Sequence, residues 1–430
     1  ISANGKDADS VTLTDITGDL GFVNISGSGE KAVDNIVNIS QTSYTDTGQT
    51  LMMNGMDISN ASVNVKASIT GHTTPWWEFG THGDRLATTT LHNNGYLTLD
   101  SGVIWQGNID LQDNSTLTLG GATITGNLSA EGTSTGGNYS INLDVKDGGT
   151  VKGDVNLKGL NITGNTSNKV QVLGFVDISE SSPTVETAMT YFKMAGVRWN
   201  GGTHLIEKDL PEDGSTTIFI VENGASVTLG TSGAGGAQAH LNGDVRLRYG
   251  VLNLVNVKGE AASGTIYFED SSSLESKIQR TLSVSTDARA NDIIMLADGT
   301  IYVAPGNTLT VAGELRGDAD LTLTGGGNKV FNHKLTGGDK DYTGDILWQA
   351  GDIYLGDSQS IGTTGTLTIL STNNSMLNLI SQRPTGTETI VLNKDIEFLK
   401  TQTDNNLNIT TNTNLTLTGK ITGRRLDKTG

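Results

Sequence analysis

Asn and Asp recur in this chain in one setting, directly after a glycine and just before an apolar-x-apolar run. The copies are Gly107-Asn108, Gly126-Asn127, Gly153-Asp154, Gly243-Asp244, Gly317-Asp318 and Gly344-Asp345. If the residue after each copy points into a core, the Asn or Asp points out. Stacked one above another, Asn108, Asn127, Asp154, Asp244, Asp318 and Asp345 make a polar ladder, with Asp110, Asn156 and Asp320 beside it. Such a ladder offers hydrogen bonds to an extended polymer or to the edge strand of a partner. The same residue types also cap turns and stack as amide ladders, which is the plainer role at any single position.

The cations are sparse but grouped. Arg246 and Arg248 alternate on one strand and so share a face, and with Lys258 they form a candidate patch for a sulfated glycan. Lys152 with Lys158, and Lys329 with His333 and Lys334, are further groups, for which scattered solubilising charge is the simpler account. Trp76 and Trp77 stand with Phe79 in an aromatic segment and are candidate contacts to a glycan or a protein. His72, His82 and His92 lie ten residues apart, an interval that matches no common zinc pattern. Gly356-Asp357-Ser358 could hold a serine nucleophile, but no histidine is placed to serve it, and a turn is expected there. Asp110/Asp113 and Asp318/Asp320 are carboxylate pairs of the kind a polysaccharide hydrolase or lyase uses; on an acidic surface they read as solvated. The Gly-Gly-x-Gly-x-Asp nonapeptide of calcium β-rolls does not repeat. No catalytic residue, metal ligand or cofactor is therefore assigned.

The elements that must carry these residues are legible in Leu97–Leu128, LTLDSGVIWQGNIDLQDNSTLTLGGATITGNL. Apolar and polar residues alternate in short runs, and Gly/Asn clusters separate the runs, so strands and turns are expected. Gly-Asn/Asp and apolar-Thr-apolar recur along the chain (the latter near Leu117, Val227, Leu309, Leu321, Leu367 and Leu415), at about 19 to 27 residues or multiples of that. The composition agrees: 56 Gly, 5 Pro, no Cys and 35% hydrophobic residues over 430 positions, with no long helix-forming run. The expected fold is all-β, a parallel β-helix of one body over residues 1–430, since stacked circuits bury columns of Val, Ile and Leu that one circuit cannot. Roughly fifteen to eighteen rungs would give about 70–85 Å of stacked strands. Residues 1–40 read as irregular capping rungs, and insertions are expected near 72–90, 182–214 and 231–240. Within the second, Val185, Ala188, Met189 and Phe192 follow helical spacing.

A net charge of −18 disfavours nucleic acid as a partner. The absence of Cys suits a chain exported unfolded and excludes thiol chemistry. No apolar run reaches membrane-spanning length, and no signal peptide begins at Ile1, so a mature or excised fragment is expected.

Gly-Asn-Ile-Asp-Leu (107–111), Ser-Thr-Leu-Thr-Leu-Gly-Gly (115–121), Asn-Leu-Thr-Leu-Thr-Gly (414–419) and the final Leu426-Asp-Lys-Thr-Gly430 together resemble the passenger domains of AIDA-type autotransporter adhesins of Gram-negative bacteria. The resemblance covers essentially the whole chain and rests on its repeats. It implies a right-handed, three-faced β-helix outside the cell, anchored in the outer membrane through a C-terminal β-barrel that is absent from this sequence. It also implies partners: a host matrix protein such as fibronectin, glycosaminoglycans, or further copies of the chain itself. The N-terminal protease domain of the serine-protease autotransporters has no counterpart here. The expectation is a non-enzymatic surface adhesin. Self-association in aggregates and biofilm, and a polysaccharide-degrading β-helix, are the alternatives.

Overall fold

The computed structural model describes residues 88–423 apart from 106, 131–139, 271–279, 333–340, 371–376, 382–388, 400–406 and 412–413. Before residue 88 it describes 56–66 and the short strands 2–3, 9–14, 18–19, 23–27, 35–40, 51–52 and 76–77. The protein is all-β, with parallel strands stacked as a β-solenoid of about 13 turns. That is fewer than the roughly fifteen to eighteen rungs expected, because several turns carry long corners. The chain divides into two compact units, Ile1–Arg198 and Trp199–Gly430.

In the first unit each turn contributes three strands. Thr88–His92, Tyr96–Leu99 and Ile104–Trp105 form one turn, and Asn108–Leu111, Thr116–Leu119 and Thr123–Ile124 repeat it. Registers stack like on like: Leu97 lies over Leu117, which lies over Leu143 and then Ile162. On the neighbouring face Ile25, Ile58, Leu91 and Leu111 form the equivalent column. These side chains are buried while their neighbours along the strand are not, as a period of two demands. The second unit repeats the plan. Val245–Leu247, Gly250–Leu254 and Val257–Ala262 make one of its turns. One core column runs Val227, Leu252, Leu282, Ile301, Leu323, Trp348, Ile369 and Phe398.

Several boundaries differ from those expected. The first forty residues supply strands that join the regular parallel ladders, with Ser2 paired to Ser26, Asp9 to Asn35, and Val23 to Met56. Trp76–Trp77 is a strand in register with Ile104–Trp105, so this dipeptide belongs to the wall and not to a projecting loop. The rest of 72–90 lies outside the described residues until strand Thr88–His92. Of 182–214, residues 182–191 and 207–214 depart from strands, apart from one isolated bridge between Leu210 and Leu241. Thr184 caps the helix Val185–Tyr191, accepting a hydrogen bond from the Thr187 N–H, and Val185 and Ala188 are its buried residues. The strand Phe192–Asn200 follows at once, and Thr203–Ile206 after it. Residues 231–238 form a loop, closed by bonds between Thr231 and Ala237, before strand Ala239–Leu241. No helix among the described residues is long and apolar enough to cross a membrane.

Candidate functional site

The Asn/Asp ladder exists in part, and its oxygens are turned along the stack, toward the next turn. Asn108 Oδ1 accepts the backbone N–H of Asn127 at 2.9 Å, Asn127 Oδ1 accepts that of Asp154 at 2.9 Å, and Asp154 Oδ1 accepts that of Phe175 at 2.8 Å. The reason is local. Asn127 and Asp154 each stand just before a wall strand, and Phe175 falls between the two pairings of strand Val170–Ile178, so each N–H lacks a ladder partner and a side chain from the turn before supplies one. Asp244 does the same for Thr265 in the second unit.

The remaining ladder residues do not fall in that column. Asp318 follows strand Leu315–Gly317 instead of preceding a strand. Asp320 and Asp345 belong to a different face, where Asp298, Asp320 and Asp345 accept in turn from Asp320, Asp345 and Thr366 at 2.9, 3.1 and 2.7 Å. Asp110 accepts from Ser129 and Gln112 side chains at 2.9 and 3.0 Å, and Asn156 from the Lys158 N–H at 2.9 Å. A continuous outward ladder of all nine is thus corrected to separate corner clamps, since strand lengths differ between faces. Asp320→Ala is expected to destabilise the second unit by about 0.5–2 kcal/mol, whereas Asp320→Asn, which keeps an Oδ1 acceptor, stays near wild type. Thermal denaturation of both variants checks this, and equal losses would contradict the clamp.

The arginines share a face, as their alternation requires, but they are answered by acids. Glu269 takes Arg246 at 2.8 Å on one oxygen and Arg248 at 3.1 Å on the other, and Glu222 lies 3.9 Å from Arg248. The Arg246 guanidinium also stacks 5.0 Å over the Tyr267 ring. Their charge is spent within the wall, which removes them as a free anion patch. Trp76 and Trp77 lie in the wall as described above. His92 bonds Asp57 at 2.6 Å and Asn93 at 2.8 Å, while His72 and His82 lie outside the described residues. Gly356–Ser360 is a turn in which the Asp357 N–H donates to Ser360 Oγ at 2.8 Å. Lys329 is a core residue, so it leaves the surface cation group; His333 and Lys334 lie outside the described residues. Among the described residues no group of three or more His, Asp or Glu side chains is placed to hold a metal ion.

Lys258 is the one predicted glycan contact that the fold gathers with other chemistry. Strands Ala239–Leu241 and Val257–Ala262 pair at both ends, Ala239 with Val257 and Leu241 with Ala262. The second strand therefore carries three extra residues, a bulge that takes Lys258, Gly259 and Glu260 out of register with Ala239–Leu241 while Glu260 still pairs with the strand on its other side. Gly259 takes φ +79°, the left-handed region such a bulge needs, and open space surrounds it. Lys258, Gly259 and Glu260 line a shallow cleft of about 510 Å³ with Asp209, His240 and Arg289. Glu260 and Arg289 are cross-strand neighbours, and the His240 ring nitrogen Nδ1 bonds the Glu260 carbonyl at 2.7 Å.

Both ion pairs in the cleft are long: 3.6 Å for Lys258–Asp209 and 3.7 Å for Arg289–Glu260. The cations are the more exposed partners, at 68% and 57% against 38% and 34%, so in a cleft of balanced charge the ammonium and guanidinium groups stand furthest into solvent. Sequence spacing could not find Asp209, His240, Glu260 or Arg289, because only the bulge brings them to Lys258. Comparison with family models, with curated proteins and with solved structures returns no match for the chain.

Proposed function

We propose that the chain is a non-enzymatic cell-surface adhesin of the autotransporter-passenger kind, which binds an anionic host glycan, of the glycosaminoglycan class, at the cleft around Lys258. The observation that supports this reading is the bulge at Val257–Ala262, which takes Lys258 out of the ladder and sets it in one cleft with Arg289, both cations loosely paired. An acidic sugar would place its anionic group between Lys258 and Arg289 and its hydroxyls on Asp209 and Glu260. Exchange is easy, because pairs at these distances in water hold by less than about 1 kcal/mol. Display outside the cell, with anchorage through a C-terminal β-barrel, and contact with a matrix protein such as fibronectin are parts of the same proposal.

Lys258→Ala/Arg289→Ala is expected to weaken binding to an immobilised acidic glycan by about tenfold or more while leaving the thermal midpoint unchanged. Glycan-array binding with wild-type affinity in that double variant would sink the assignment. Arg246→Ala/Arg248→Ala is expected to lower stability and leave binding intact, because those charges serve Glu269 and Glu222. A self-association reading draws on the outward amide pairs Asn38–Asn64 and Asn142–Asn161, each at 3.1 Å. Sedimentation across a concentration series separates it from the first.

A further inference from the structure

Two lysines of the second unit are core residues. Lys329 occupies the inward column between Leu309 and Ile353, fully buried, and Lys394 is 1% exposed. Among the described residues no carboxylate bonds the Lys329 ammonium. Instead the carbonyl oxygens of Gly325, Gly327 and Ala350 surround Lys329 Nζ at 2.6, 2.9 and 2.7 Å. The first two come from the corner just before its own strand, and the third from the turn above. Gly351 permits the closeness, since a Cβ there would lie 2.4 Å from the ammonium and 2.1 Å from the Gly327 oxygen. The Gly351 carbonyl is held in turn by the indole N–H of the buried Trp348, at 2.8 Å.

Lys394 repeats the arrangement at another corner. Its Nζ donates to the carbonyls of Gly344, at 2.9 Å, and Thr364, and lies 5.0 Å from the centre of the Tyr342 ring. Tyr342 is fixed by its hydroxyl, which donates to the carbonyls of Ala319 and Asp345 at 2.9 and 3.0 Å. Carbonyl oxygens and a ring face are the groups that replace the hydration shell of a monovalent cation.

We propose that these two corners are monovalent-cation nests, in which the ammonium groups of Lys329 and Lys394 stand as the resident cations. A free ion of the same class, ammonium, methylammonium or potassium, takes a nest when its lysine is cut back. A three-donor ammonium matches the three acceptors around Lys329, and a neutral amine with two N–H donors leaves one carbonyl unmet. Opposite charge is close but not in contact. Asp352 acts on Lys329 through space, and Asp345, Asp341 and Asp320 act on Lys394. This inference stands apart from the glycan cleft, and neither depends on the other.

Lys329→Ala in the full chain is compared at equal ionic strength in chlorides of tetramethylammonium, sodium, potassium, ammonium and methylammonium. In tetramethylammonium, too large for the nest, the thermal midpoint is expected to fall by about 5–10 °C. Methylammonium and ammonium are expected to restore at least half of the loss, saturably. Lys329→Met, whose side chain fills the space, gains nothing from either ion. An alanine variant equally unstable in every salt would overturn the proposal, as would a methionine variant as stable as wild type.

Lys394→Ala is run in the same series and must show the same order of ions. Wild type supplies a measurement that survives any folding failure. With ¹⁵N-labelled lysine at about pH 6.5, both nests are expected to show slowly exchanging ammonium protons bonded to carbonyls. Neutral or freely exchanging Nζ groups at 329 and 394 would reject resident cations outright.

Discussion

Gly243→Val is expected to lower the thermal midpoint by about 10 °C or more, a loss on the order of 4 kcal/mol. Gly243 opens a corner of the second unit at φ +148°, and a Cβ built there would sit 1.8 Å from the carbonyl oxygen of Thr217. The obstacle is backbone, so no rotamer relieves it. Thr217 itself is 1% exposed, and its N–H donates to the Asn242 carbonyl at 2.9 Å. Relief therefore requires the two turns to part, which breaks that bond and the one from Phe219 N–H to the Asp244 carbonyl. Gly233→Val is the matched control. It lies at φ +109° with nothing within 4 Å, so it carries only the conformational strain, about 1 kcal/mol. Thermal denaturation of the two variants decides the matter. A Gly243 variant within about 2 °C of the control would mean the turns are not in contact as described.

Stability is expected to rise between about pH 8 and pH 10, against the usual course for an acidic protein. Burial pushes the Lys329 and Lys394 ammonium groups down from 10.5 to about 8, partly opposed by their neighbouring aspartates. Through that window the unfolded chain binds more protons than the folded one, so raising the pH favours the fold. The cost of burying charge is fully present below about pH 8 and is relieved as the pH climbs toward 10.5, up to roughly 3 kcal/mol per lysine. Tyr342 acts in the opposite sense. Burial, with Asp320, Asp345 and Asp298 nearby, raises its pKa far above 10.0, so its stabilisation holds below pH 10 and is lost above it. The denaturant midpoint is thus expected to peak near pH 10. Lys329→Met should flatten the rise by about half, and a midpoint falling steadily from pH 7.5 would contradict the account.

The parallel β-solenoid was legible in the sequence because its causes are local. In Leu97–Leu128 an alternation of two marks every inward leucine, and each Gly-Asn or Gly-Gly marks a corner. The face to which a strand belongs was not legible, because all faces bury the same residue types. The apolar-Thr-apolar runs at Leu117 and Leu309 look alike, yet they lie on different faces within their units. The Gly-Asp spacing groups Asp345 with Asn108 for the same reason, though the two clamp different faces.

Lys329 shows a second limit. In Asn328-Lys329-Val330-Phe331 hydropathy alone would turn Val330 inward, but the strand buries Lys329 and Phe331, because carbonyls from the corner before the strand and from the next turn meet the ammonium. The cleft around Lys258 was hidden by a bulge, and a bulge leaves no periodic signature. An aromatic cluster in a segment that breaks the repeat reads as a projecting loop, yet Trp76 and Trp77 pair cleanly with Ile104 and Trp105.

The corner clamps have a direction. From Asn108 to Asn127, Asp244 to Thr265, Asp298 to Asp320 and Asp395 to Lys420, the acceptor side chain always comes from the earlier turn and the N–H from the later one. A stack built this way has a polarity: each turn offers an oxygen to the turn that follows it in the chain. Unmet, that oxygen is a hydrated carboxylate or amide, at ease in water. Where it belongs to a carboxylate, as at Asp244, Asp298 and Asp395, its charge repels a like-charged leading edge of another chain. The same carboxylates that fasten successive turns also keep an unfinished stack from capping itself with a stranger.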